Sequence, residues 1–133
     1  MNTSVVITTI NKRNRIINRL SSKSKEKKWK FIIIGDKKTP NNFKVNYGQF
    51  VSLKEQKKLK LGFSKICPQN NYARKNIGYL IAFKSSEIII ETDDDNLPKD
   101  NFFFKRKLKH KAKVIKNNGW INIYDLFLKK KEF

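Results

Sequence analysis

Three short, almost uninterrupted runs of apolar and largely β-branched residues constrain this chain most: "SVVITTI" from Ser4 to Ile10, "WKFIIIGD" from Trp29 to Asp36, and "EIIIE" from Glu87 to Glu91. A strand with one solvated face alternates apolar and polar side chains. A continuous apolar run belongs to a strand covered on both faces, as in parallel sheets. Parallel neighbours need crossover connections, and the intervening segments supply them. "NKRNRIINRLSS" follows the first run with Ile16, Ile17 and Leu20 at helical spacing, and "NYARKNIGYLIAFKSS" precedes the third with Ile77, Leu80 and Ile81 along one face. Between Asn46 and Leu61 the pattern is weaker and predicts a short strand or turn followed by a helix, with "KKTPNN" before it as turn chemistry. The order β-α-β-(α)-α-β predicts an α/β fold with a mostly parallel sheet flanked by helices.

A length of 133 residues suits a single domain, 1–133, and 38% hydrophobic residues suffice for one core. No apolar run approaches the roughly 20 residues of a spanning helix, and "MNTSVVITTINKR" lacks the features of a secretory signal. The lone cysteine, Cys67, cannot close an intrachain disulfide, and it reads as a packing or loop residue. A cytoplasmic protein without a membrane span is the expectation, with surface association left open. The 31 Lys and Arg against 11 Asp and Glu, a formal charge of +20, invite a polyanionic partner. The lysines are spread along the whole chain, however, so nucleic acid is the subordinate reading. His110 in "KLKHKAK" has no acidic or cysteine neighbour and reads as a surface residue. "FKRKLKHKAK" reads as the solvated side of a helix turning Phe104, Leu108 and Ala112 inward; Phe102 to Phe104 must cover something, and "WINIY" is strand-like.

Ligands of open parallel sheets bind beyond the carboxyl ends of the strands. There the chain places Thr8, Thr9 and Asn11 after the first strand, Asp36 after the second, and Asp93, Asp94 and Asp95 after the third. If the backbone stays extended, Asp93 and Asp95 point the same way about 6–7 Å apart, with Asp94 opposite. One hard cation, Mn2+ or Mg2+, could serve both, together with the phosphates of a ligand. The competing reading is a solvated turn, since Asp, Asn and Pro are all turn residues. Arg74 and Lys75 stand near a helix start, where cationic side chains and N–H groups suit phosphate. Gly78, inside that helix, serves either close packing or ligand approach.

"RKNIGYLIAF" followed by "EIIIETDDDN" resembles the signature region of the STELLO-like glycosyltransferases (the domain of unknown function 288 family) and, more distantly, the GT-A glycosyltransferases with their aspartate-x-aspartate motif. "ITTINKR", "IIIGDKKTP", "VSLKEQKKL" and "INIY" are similar to further family elements, in order along nearly the whole chain. The resemblance implies a GT-A-like, Rossmann-like nucleotide-binding half that ends where similar proteins continue into an acceptor-binding part. It implies a metal-dependent glycosyltransferase that takes a nucleoside-diphosphate sugar and passes the sugar to a hydroxyl acceptor. Thr8 and Asp36 would line the nucleoside pocket, Arg74 would approach the diphosphate or sugar, Asp93 and Asp95 would hold ribose and metal, and Asp94 would be nearer the sugar or structural. No catalytic base is assigned. The alternatives are a basic nucleic-acid-binding α/β module, with Trp29, Phe63 or Trp120 exposed for stacking, and a donor-binding remnant without catalysis.

Overall fold

The computed structural model describes residues 2–105 and, beyond them, 107, 109, 111, 112, 114, 116, 119–122 and 124. The helix expected across 104–112 and the strand expected at 120–124 depend on Leu108, His110 and Ile123, which lie outside the described residues. Among the described residues no helix is long and apolar enough to cross a membrane.

Four strands form one parallel sheet in the order β3-β2-β1-β4: β1 Thr3–Thr9, β2 Lys30–Gly35, β3 Gln49–Val51 and β4 Ile88–Glu91. The three apolar runs thus become three strands, and the weak segment after Asn46 supplies the fourth. Helix α1 (Arg15–Glu26) links β1 to β2; α2 (Leu53–Lys58), α3 (Gly62–Ile66), a 3-10 turn (Tyr72–Arg74) and α4 (Lys75–Phe83) link β3 to β4. This is an α/β fold of Rossmann-like type, with the chain direction across the sheet reversing between β1 and β4.

Side-chain alternation divides the core into two layers. Val5, Ile7, Phe31 and Ile33 pack with Ile17 and Leu20 of α1, while Val6, Ile32 and Ile34 pack with Ile77 and Ala82 of α4. Helix α1 buries Ile17, Leu20, Ser21 and Ser24, one stripe at helical spacing. Its first turn is capped by Asn14, whose Oδ1 accepts from the Ile17 N–H at 2.9 Å. Helix α2 begins in a Ser52–Glu55 capping box.

Two expectations need correction. In α4 Ile77 is buried and Ile81 packs against the same core, as expected, but Leu80 is 38% exposed, and Gly78 and Ala82 are the other positions turned to the sheet. Strand β4, read as covered on both faces, lies at the edge of the described sheet, and Ile88, Ile89 and Ile90 are only half-buried. Of the three phenylalanines, Phe103 is buried against Trp29 and Phe102, whereas Phe104 is exposed.

Candidate functional site

The ends of β1, β2 and β4 open into a cleft of about 460 Å³. It is lined by Thr8, Thr9, Ile10, Asn11 and Asp36 after the first two strands, by Asp93, Asp94 and Asp95 after the last, and by Lys38, Asn70, Asn71 and Tyr72. Register explains this convergence. Val6 lies beside Glu91, so three residues further on each chain Thr9 reaches the level of Asp94. The Thr9 hydroxyl donates to Asp94 Oδ2 at 2.5 Å, Asn11 Nδ2 donates to the same oxygen at 3.0 Å, and Asn14 Nδ2 donates to the Asp94 carbonyl at 2.9 Å. Asp94 therefore clamps the aspartate turn to β1 and to the start of α1.

The alternation expected of Asp93 to Asp95 does not occur. The strand ends at Glu91, Asp94 and Asp95 lie in a turn, and all three residues border the cleft. Their partners differ. Asp93 Oδ1 accepts from Lys75 Nζ at 2.5 Å, and Asp93 Oδ2 accepts from Asn96 Nδ2 at 3.4 Å. Asp95 is the aspartate of the three without a hydrogen bond or ion pair among the described residues.

Lys75 is buried, and its ammonium also donates to Glu91 Oε2 at 3.1 Å and to the Thr92 carbonyl at 3.3 Å. Burial pulls its pKa down, but the hydrogen bonds it donates to Asp93 and Glu91 outweigh that and leave it raised. The Tyr79 hydroxyl donates to Glu91 Oε2 at 2.7 Å. That bond, then the one from Lys75, lowers the Glu91 pKa, while burial and the same carboxylate push Tyr79 up to about 12.

Arg74 does not line the cleft. Its side chain is 4% exposed, and its guanidinium donates to Gln56 Oε1 at 2.6 Å and to the Cys67 carbonyl at 3.2 Å. Nε lies 3.4 Å from Asp36 Oδ1, an ion-pair contact without hydrogen-bond geometry, and it has no hydrogen-bond partner. Gln56 Nε2 donates to the carbonyls of Gly35 and Val51, tying the ends of β2 and β3 to this buried network. The expectation that Arg74 meets phosphate is thus replaced by support of Asp36 from behind, since a burial this deep leaves no face for a ligand. Lys75 is likewise turned to carboxylates. Gly78 serves packing: a Cβ there would lie 2.4 Å from Val6 Cγ1 and 3.0 Å from Ile34 Cγ1.

Seven expected residues therefore share the cleft: Thr8, Thr9, Asn11, Asp36, Asp93, Asp94 and Asp95. Arg74, Lys75 and Gly78 stand behind it. The lining residues Ile10, Lys38, Asn70, Asn71 and Tyr72 lay outside the expectation, although "QNNY" carries a helix-start signal: Asn71 Oδ1 accepts from the Ala73 N–H at 2.9 Å. Tyr72 is 86% exposed there.

The donor set decides how a cation fits. Among the described residues no group of three or more His, Cys, Asp or Glu is placed to hold a metal ion. With Asp93 on Lys75 and Asp94 on Thr9 and Asn11, a cage built from protein carboxylates alone does not fit. One open carboxylate, Asp95, fits a cation shared with the phosphates of a ligand. No family model matches the chain, and no curated protein matches it.

Proposed function

We propose that the cleft binds a nucleoside-diphosphate sugar and that the chain is a GT-A-type glycosyltransferase, or the donor-binding half of one. The observation that carries this reading is the position of a polar, acidic cleft, with Asp95 unengaged among the described residues, at the point where the strand order reverses. The motif resemblance supplies the substrate class. On the resemblance, Thr8 and Asp36, the latter braced by Arg74, would line the nucleoside pocket, and Asp94 holds the aspartate turn in place. Asp95 is the carboxylate that would hold Mn2+ or Mg2+ together with the diphosphate, and such an ion would supply neutralisation of charge on the leaving group. In the transfer, the bond from the sugar's anomeric carbon to the diphosphate oxygen breaks and a bond to the acceptor hydroxyl oxygen forms. The hydroxyl proton leaves to a base that is not assigned to this chain.

The test is a calorimetric titration of the chain with UDP and with GDP, each with and without Mn2+, beside an Asp95→Ala variant. Metal-dependent binding that disappears in the variant supports the reading, and the preferred nucleotide names the donor class. A folded chain that binds neither nucleotide under any of these conditions removes it.

A further inference from the structure

The two ends of the parallel sheet differ in character. Its carboxyl end carries the aspartate cleft, whereas its amino end, where Thr3, Lys30 and Ile88 begin β1, β2 and β4, is apolar and basic. We infer that this amino end docks on an anionic phospholipid bilayer, with Phe83 and Phe104 entering the interface and the lysines beside them facing the lipid head groups. The inference does not depend on what the cleft binds.

A second cavity, of about 220 Å³, lies at that end and is lined by Trp29, Ile88, Ile90, Phe103 and Phe104 together with Lys27 and Lys105. Of the described phenylalanines, Phe83 and Phe104 are the exposed ones, at 78% and 61%, and a lysine follows each. Helix α4 ends at Phe83, and the Glu87 N–H donates to the Asn2 carbonyl at 2.9 Å, so the turn after the helix lies beside the start of β1. Phe83 thus stands at the same end as Phe104. The two belong to different faces, since α4 covers the layer of Val6 and Ile34, whereas Phe104 adjoins Phe103 and Ile90 of the other layer. Rings on opposite faces of a sheet share no platform for stacked bases, but both can reach one plane laid across the strand starts. Lys27, Lys28, Lys30, Lys84 and Lys105 are exposed at this end. Among the described residues, Glu26 and Asp100 are already paired with Lys23 and Arg19, so Glu87 is left to offset those lysines. Basic side chains beside anionic head groups and aromatic rings at the boundary reinforce one another. Docking there leaves the cleft, at the opposite end, open to its ligand.

The experiment is co-sedimentation of the full chain with phosphatidylcholine vesicles, with and without about 30% phosphatidylserine, at about 100 mM salt. Beside the unaltered chain stand Phe83→Ser/Phe104→Ser, Lys84→Glu/Lys105→Glu, and a charge-matched control, Lys54→Glu/Lys57→Glu, on exposed positions of α2. The unaltered chain is expected to sediment with the anionic vesicles and not with phosphatidylcholine alone. Affinity should fall about five-fold or more in the phenylalanine pair and about ten-fold or more in the amino-end lysine pair, against less than about three-fold in the control. No sedimentation with anionic vesicles overturns the inference, as does a folded phenylalanine variant that binds like the unaltered chain. Equal losses in the two lysine pairs also overturn it, since the charge of the whole molecule then accounts for binding. If affinity for a single-stranded oligonucleotide falls in the phenylalanine variant while vesicle binding holds, this end belongs to nucleic acid instead. Circular dichroism checks folding, and if the phenylalanine variant does not fold, the two lysine pairs decide alone.

Discussion

At the residue scale, two buried cations organise the site from behind. Arg74 satisfies Gln56 and the Cys67 carbonyl and balances Asp36. Removing one partner of a buried pair leaves the other charge uncompensated, so Arg74→Met should cost about 3–5 kcal/mol in urea unfolding. Lys75 and Glu91 make a pH-dependent contribution with a defined sign. The Glu91 pKa is lowered on folding, so its contribution is present above its ordinary value of 4.5 and is lost as pH falls through the lower folded value. The stability difference between the unaltered chain and Glu91→Gln should therefore shrink on acidification from about pH 6 to about pH 3. Lys75 and Tyr79, both raised, act in the opposite window: their contributions hold below their ordinary values of 10.5 and 10.0 and fade as pH rises through the folded ones, near 12 for Tyr79. Residue type made Arg74 and Lys75 conspicuous in the sequence. What it could not reveal is that both point away from solvent, because that depends on where α4 docks.

At the element scale, local chemistry was legible and its imperfections are informative. Helix α1 closes with Trp29 N–H donating to the Ser24 carbonyl and Lys28 N–H to the Lys25 carbonyl, a Schellman arrangement that puts Lys28 at φ 57°. A side chain there is strained, so Lys28→Gly should raise stability by about 1 kcal/mol in the same unfolding assay. Gly78 is the reverse case. Alanine would gain about 1 kcal/mol of helix propensity. Its Cβ would meet Val6 Cγ1 at 2.4 Å, an overpacking that costs about 1–3 kcal/mol, so Gly78→Ala should lower the melting temperature. The strands and helices announced themselves because β-branched runs, helical spacing and caps are properties of neighbouring residues. The short α3 did not, since five residues give too little periodicity, and Leu80 of α4 turned out of the face that Ile77 and Ile81 share because the close approach at Gly78 sets how the helix sits on the sheet.

At the scale of the whole molecule, a chain of charge +20 presents a cleft walled by aspartates. The basic charge gives a nonspecific attraction to polyanions, which is screened by salt. Binding to a single-stranded oligonucleotide, followed by fluorescence anisotropy, should therefore fall steeply between about 50 and 200 mM salt. It should also be unaffected by Asp95→Ala, whereas nucleotide binding in the cleft should depend on that residue. Oligonucleotide binding that is salt-resistant and lost with Asp95 would move the cleft to the nucleic-acid reading.

The sequence alone determined the class of fold and the polar ends of its strands, because the first two apolar runs are satisfied by a sheet covered on both faces and the strand ends follow from chain order. Only the tertiary structure decided which of the three aspartates is open. Asp94 is taken by Thr9, 85 residues away, and Asp93 by Lys75, 18 residues away. Those pairings arise from the register of β4 on β1 and from the docking of α4, and no local pattern encodes the distance between a charge and its partner.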